Sequence, residues 1–211
     1  MPYYKSKNVL FIHIPKTGGF GIELAISDSF NRDARQGITS LFIWQARNNI
    51  LEYPYNTISL QHQYYSTLYK YRDKLGINFN DIKIFSIVRN PYNRIISDLF
   101  FFKKINLNFT AEQVYKVIRY NYLNIPNLDN HNVPQYKFIT DDNCQLIPNI
   151  KIFKCEQLNY SNDEINKFLG FNINIKKGIN KNYSRFLNKD SILLINKFYR
   201  KDFELFDYKL R

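Results

Sequence analysis

The chain of 211 residues carries 45% hydrophobic and 17% aromatic side chains, enough to close a sizeable core, which excludes wholesale disorder. Its formal net charge of +12, from 30 Lys and Arg against 18 Asp and Glu, attracts anions without choosing among nucleotides, nucleic acid, anionic membranes and acidic glycans. Two cysteines, Cys144 and Cys155, are too few for a disulfide framework and lack metal-ligand spacing, and no apolar run approaches the roughly 20 residues that span a bilayer. With no signal-peptide core leading into the first apolar run, the expected compartment is reduced and cytoplasmic.

Val9 to Ile14 is β-branched and aromatic, long enough for a buried strand, and Pro15 ends it. The stretch Pro15-Lys16-Thr17-Gly18-Gly19-Phe20-Gly21 follows, holding three of the chain's seven glycines. Glycine so concentrated suits a backbone that takes positive φ or closely approaches a ligand. Exposed N–H groups opening a helix, with one lysine beside them, make a ready site for phosphate or sulfate. The plainer alternative is a strand-to-helix turn whose glycines serve packing only. Ile22, Leu24, Ala25, Ile26 and Phe30 then give a helical apolar stripe, with Glu23 expected on its surface where a carboxylate suits the dipole.

Arg32 to Thr39 reads as a loop, and Leu41 to Leu51 as a weaker helix in which Trp44 serves packing. Thr57 to Gln61 alternates and predicts a second strand, placing His62 just beyond a strand's carboxyl end, where open α/β sheets bind ligands. Tyr64 to Leu75 predicts a helix closed by Gly76, and Asp81 to Val88 a central strand. Asn90 and Pro91 then suit the cap and first turn of a helix, leaving Arg89 at the strand end and Ser97 two turns on, a pair able to grip a phosphate from two sides.

Thr110 to Leu123 predicts a helix with a capping box between Thr110 and Gln113. A polar loop from Asn124 to Asn132, carrying His131, leads to the segment of Gln135; His131 and Gln135 are the candidate acceptor contacts, since loops of this kind carry such contacts. Short strands are expected at Cys144 to Ile147 and Ile150 to Lys154. A helix from Ser161 to Leu169, capped at Ser161 and ended by Gly170, a basic stretch from Phe171 to Arg185, and a helix from Asn188 to Phe203 complete the chain. Strands alternating with helices predict an α/β fold over residues 1–211 as a single domain, its central sheet mainly parallel and flanked by helices.

Three separated stretches resemble one family. Phe11-Ile12-His13-Ile14-Pro15-Lys16-Thr17-Gly18-Gly19 is similar to the 5′-phosphosulfate loop of the carbohydrate (Golgi-type) sulfotransferases, whose donor is 3′-phosphoadenosine 5′-phosphosulfate (PAPS). Val88 to Ser97 resembles their 3′-phosphate motif, and Phe198 to Tyr208 their C-terminal helix. The resemblance implies a P-loop-like domain in which Lys16 meets the sulfate and the bridging oxygen. The N–H groups of Thr17, Gly18 and Gly19 would hold the 5′-phosphate, and Arg89 and Ser97 the 3′-phosphate. His62 falls near the catalytic histidine of the glycan 2-O-sulfotransferases and is the candidate general base, with His131 the competing one and His13 read as structural. Asn182, Ser184 and Arg185 match a basic or polar loop over the nucleotide.

Phe20 and Gly21 also fall in the donor loop but replace the family's usual Thr-Ser pair. The implied partner is a glycan or other hydroxyl acceptor, with no metal, no nucleic acid and no membrane segment expected. Two other classes fit the basic composition: a P-loop nucleotide kinase, although Lys16 precedes the glycines and the pattern G-x-x-x-x-G-K-[ST] is absent, and a non-enzymatic binder of nucleic acid or acidic glycan.

Overall fold

The computed structural model describes residues 3–29, 50–126, 128–175 and 183–211. The expected loop at Arg32 to Thr39, most of the expected helix at Leu41 to Leu51 with Trp44, and Asn182 lie outside these residues.

Four strands form one sheet in the order β1 (Tyr3–Tyr4), β2 (Val9–Ile12), β3 (Lys83–Val88), β4 (Ile150–Lys154). The edge strand β1 runs antiparallel to β2; β2, β3 and β4 are parallel, with Phe11 opposite Phe85 and Phe85 opposite Lys151. Parallel strands need crossovers, and the helices that make them cover both faces. Leu10, Ile12, Ile84 and Val88 point into one core with Leu68, Leu75 and Phe138. Val9, Phe11, Phe85, Ile87 and Phe153 point the other way, onto Ile22, Ile26, Ile165 and Leu169. This two-sided burial explains why the strands read as continuous apolar runs. The result is the expected α/β architecture with a mostly parallel sheet.

Helix α1 (Gly19–Ser29) follows β2 directly, and α2 (Tyr65–Lys70) and α3 (Arg72–Leu75) end at Gly76 with φ of +61°, the predicted left-handed stop. Helix α4 (Pro91–Phe101) starts on Asn90, whose side chain accepts the Tyr92 N–H, with Pro91 in its first turn. Helix α5 (Ala111–Asn121) carries the predicted Thr110 and Gln113 capping box. Helix α6 (Asn162–Leu169) closes at Gly170, but Ser161 does not cap it: the Ser161 hydroxyl donates to the Gln157 carbonyl instead. The last predicted helix breaks at Tyr199 into α7 (Lys189–Phe198) and α8 (Arg200–Leu205). Helices α4, α5, α7 and α8 enclose a third apolar cluster built on Tyr92, Leu99, Ile118, Ile195 and Phe203.

Two expected strands are corrected. Thr57 to Gln61 does not join the sheet: 3-10 turns occupy Tyr55–Thr57 and Leu60–His62, because Ser59 donates its N–H to Asp129 while its carbonyl accepts the His62 N–H. Cys144 to Ile147 contributes only an isolated bridge between Thr140 and Leu146.

Candidate active site

The loop from His13 to Gly18 leaves the carboxyl end of β2, and the N-terminus of α4 leaves that of the adjacent β3, so both predicted phosphate motifs open at one edge of the sheet. Between them lies an open cleft of about 510 Å³, lined by residues that include His13, Lys16, Gly18, Gly19, His62, Arg89, Ser97 and His131. Lys16 takes φ of +65° and Gly18 φ of +94°, left-handed conformations that turn the loop sharply. A side chain at Gly18 would also crowd Leu158, its Cβ standing 3.1 Å from Cδ1. The N–H groups of Thr17, Gly18 and Gly19 have no acceptor among the described residues.

Arginines lock the cleft's two walls together. Arg89 reaches across to donate to the Lys16 carbonyl at 3.0 Å, and its own N–H and carbonyl are clamped by the Gln135 amide at 2.8 Å each. Buried Arg94 donates to three carbonyls: Pro15 at 3.0 Å, Val133 at 2.8 Å and His131 at 2.8 Å. It thereby ties the glycine loop to the loop that carries His131. As the fourth residue of α4, Arg94 gave no sign in the sequence of three backbone acceptors from two other loops.

The chain's three histidines all line this cleft, with the rings of His13 and His62 centred 5.4 Å apart and those of His62 and His131 4.9 Å apart, edge to face. Each has Nδ1 against a carboxylate oxygen: His13 on Glu23 at 2.5 Å, His62 on Asp129 at 2.7 Å, and His131 on Asp98 at 2.7 Å. Burial drives His62 down to about 4, an effect its bond to Asp129 only partly offsets, so its imidazole is neutral at physiological pH. Burial would raise the Asp129 carboxyl, but the hydrogen bonds from His62 and Ser59 outweigh it and hold the group below its ordinary value. Lys16 is lowered by burial and by Arg89, against an opposing pull from Asp98. Donor atoms of His62, Asp129 and His131 lie within 4.8 Å of one another, the three-residue group best suited to a metal among the described residues, although Asp129 already accepts from His62 and twice from Ser59.

The remaining predicted residues divide. Phe20, in the first turn of α1, also lines the cleft and is 53% exposed. Thr17 is buried and its hydroxyl donates to the Ile14 carbonyl; Gly21 spends its N–H on the Gly18 carbonyl. Gln135 is fully buried, its amide on Arg89 and its N–H on Asp202, so it braces Arg89 and does not face an acceptor. Ser184 and Arg185 are exposed and off the cleft, the Arg185 guanidinium donating to the Leu107 carbonyl. Glu23 is not the expected surface residue: it is buried, receiving both His13 and the Gln61 amide. The sequence also missed Asp98 and Asp129, which no spacing links to the histidines they hold.

A strand, a glycine loop and a helix at the carboxyl edge of a parallel sheet define a P-loop-like anion-binding fold. The model of the Sulfotransferase family matches residues 3–209, and the chain belongs to that family, whose members are sulfate-transferring enzymes. No curated protein and no solved structure matches the chain.

Proposed function

We propose that this sulfotransferase takes its sulfuryl group from PAPS and passes it to a hydroxyl of a carbohydrate by in-line displacement, with His62 as general base. One observation carries the reading: His62, its Nδ1 bonded to Asp129, lines the same cleft as Lys16, the glycine loop, Arg89 and Ser97. With Nδ1 donating to a carboxylate, the neutral imidazole keeps Nε2 as its proton acceptor.

In the proposed step the acceptor hydroxyl gives its proton to Nε2 of His62 while its oxygen attacks sulfur. The bond from sulfur to the bridging oxygen breaks, and its electron pair leaves on the 5′-phosphate of adenosine 3′,5′-bisphosphate. The charge developing on that oxygen is met by Lys16 and by the N–H groups of Thr17, Gly18 and Gly19, so positioning and electrostatics supply most of the acceleration. Arg89 keeps guanidinium donors beyond the one given to Lys16, and the Ser97 hydroxyl has no hydrogen-bond partner among the described residues; both suit a 3′-phosphate. His131 is the proposed acceptor contact. Phe20 and Gly21 supply no hydroxyl, so the 5′-phosphate relies on backbone donors and Lys16.

The test is sulfate transfer from PAPS to a panel of glycans and simple alcohols by the wild type and His62→Ala. The reading predicts transfer to a glycan that falls about 10²–10⁴-fold in the variant while adenosine 3′,5′-bisphosphate still binds. Retained transfer in the variant would move the base elsewhere, and no transfer to any glycan would remove the acceptor class.

A further inference from the structure

We infer that Phe101 is a positioning residue for Lys16, its ring face holding the lysine ammonium in the cleft that both residues line. The inference rests on the assignment of Lys16 to the sulfuryl group. Nζ of Lys16 sits 4.1 Å from the centre of the Phe101 ring, well within cation–π range. Among the described residues Lys16 makes no ion pair; Asp98, on the helix that carries Phe101, is hydrogen-bonded to His131 and to the Tyr122 hydroxyl. Burial disfavours the ammonium's charge, and Arg89 repels it. Asp98 attracts the ammonium only from a distance, without an ion pair, so the aromatic face supplies the direct contact.

The same ring lies nearly parallel to that of His131, 8° between planes and 5.5 Å between centres. It links the lysine to the wall that carries the proposed acceptor contact. The ring also meets Phe102 edge to face at 5.1 Å, but it is not packed into the core. Phe101 is 58% exposed, whereas its neighbour Phe100 turns inward onto Tyr183 and Phe186. An exposed phenylalanine lining the cleft, with a cation on its face, is better explained by the cation than by the core.

Two measurements test it, one independent of turnover. In the nucleotide-free protein, the ε-methylene protons of Lys16 should be shifted upfield by the ring current of Phe101, and the shift should vanish in Phe101→Leu. In binding, Phe101→Leu should narrow the preference for PAPS over adenosine 3′,5′-bisphosphate by about three- to thirtyfold, Phe101→Tyr should restore it, and in a Lys16→Gln background Phe101→Leu should have no further effect. Leucine keeps the apolar bulk, so a packing role would survive it. An unshifted Lys16 signal, or an equal loss with and without the lysine, would overturn the inference. Failure to bind either nucleotide would instead overturn the assignment of PAPS, leaving the ring-current result to decide the role of Phe101.

Discussion

Gly19 lies directly against the ring of His13: a Cβ there would stand 2.6 Å from both Nε2 and Cδ2, and 2.9 Å from Cζ of Phe11. His13 cannot retreat, because Glu23 holds its Nδ1 and Phe11 stacks on it at 5.4 Å. The histidine thus props the floor of the glycine loop from below. Gly19→Ala should therefore lose about 1–3 kcal/mol of stability in urea denaturation and weaken nucleotide binding. Gly21 has open space around it and an ordinary helical place, so Gly21→Ala should leave binding intact and gain up to about 1 kcal/mol. Equal effects of the two substitutions would contradict the assignment of separate roles to the two glycines.

Asp129 fixes which nitrogen of His62 carries the proton. Asp129→Asn still offers an oxygen to Ser59 but loses the carboxylate that stabilises an imidazolium. The rate of sulfate transfer should fall about 10²–10⁴-fold with adenosine 3′,5′-bisphosphate affinity unchanged. A rate within threefold of wild type would remove the dyad from the mechanism.

The buried state of His62 predicts a pH dependence. Its folded value of about 4 lies below the ordinary 6.5, so neutral His62 contributes its full stability above pH 6.5, and that contribution is lost as pH falls toward 4. Asp202, pushed up to about 6 by burial, acts in the opposite sense over much of the same interval and flattens the wild-type curve. Comparison with His62→Gln isolates the histidine. The stability difference between wild type and variant should shift against the wild type by on the order of 3 kcal/mol between pH 6.5 and 4. A constant difference across that window would mean that His62 protonates freely in the folded protein.

Arg94 is a structural joint between the glycine loop and the loop of His131. Arg94→Met would leave the Pro15, Val133 and His131 carbonyls without this donor. At about 1–3 kcal/mol for each buried acceptor, denaturant unfolding should show a loss of about 3 kcal/mol or more. Arg94→Lys should lose less, since an ammonium can still reach one or two of the three. Indistinguishable unfolding midpoints for wild type and Arg94→Met would refute the joint.

Much of the fold was legible because it is written locally. Continuous apolar runs marked β2, β3 and β4, while Asn90-Pro91, Thr110 with Gln113, and Gly76 and Gly170 marked helix ends through chemistry within four residues. Thr57 to Gln61 misled because short alternation fits a half-buried turn as well as a strand; what decides it is Asp129, 70 residues beyond Ser59. The sharp turn of the glycine loop between β2 and α1 was readable for the same local reason as the helix caps. The three acid-held histidines were not, since Glu23, Asp98 and Asp129 meet their partners only once the sheet edge, α4 and the loop beyond α5 have come together. Gln135 lay in the right segment, but periodicity gives no warning that a loop amide turns inward to clamp Arg89.

The proposed donor site has two phosphate grips, the glycine loop with Lys16 at one end and Arg89 with Ser97 at the other. Titration calorimetry with adenosine 3′,5′-bisphosphate and with adenosine 5′-phosphate, on wild type and Arg89→Met, tests it most directly. The bisphosphate should bind wild type at least about tenfold more tightly, consistent with one charge-assisted contact of about 1.5–3 kcal/mol, and Arg89→Met should erase that preference. Equal affinity of the wild type for the two nucleotides would contradict the account.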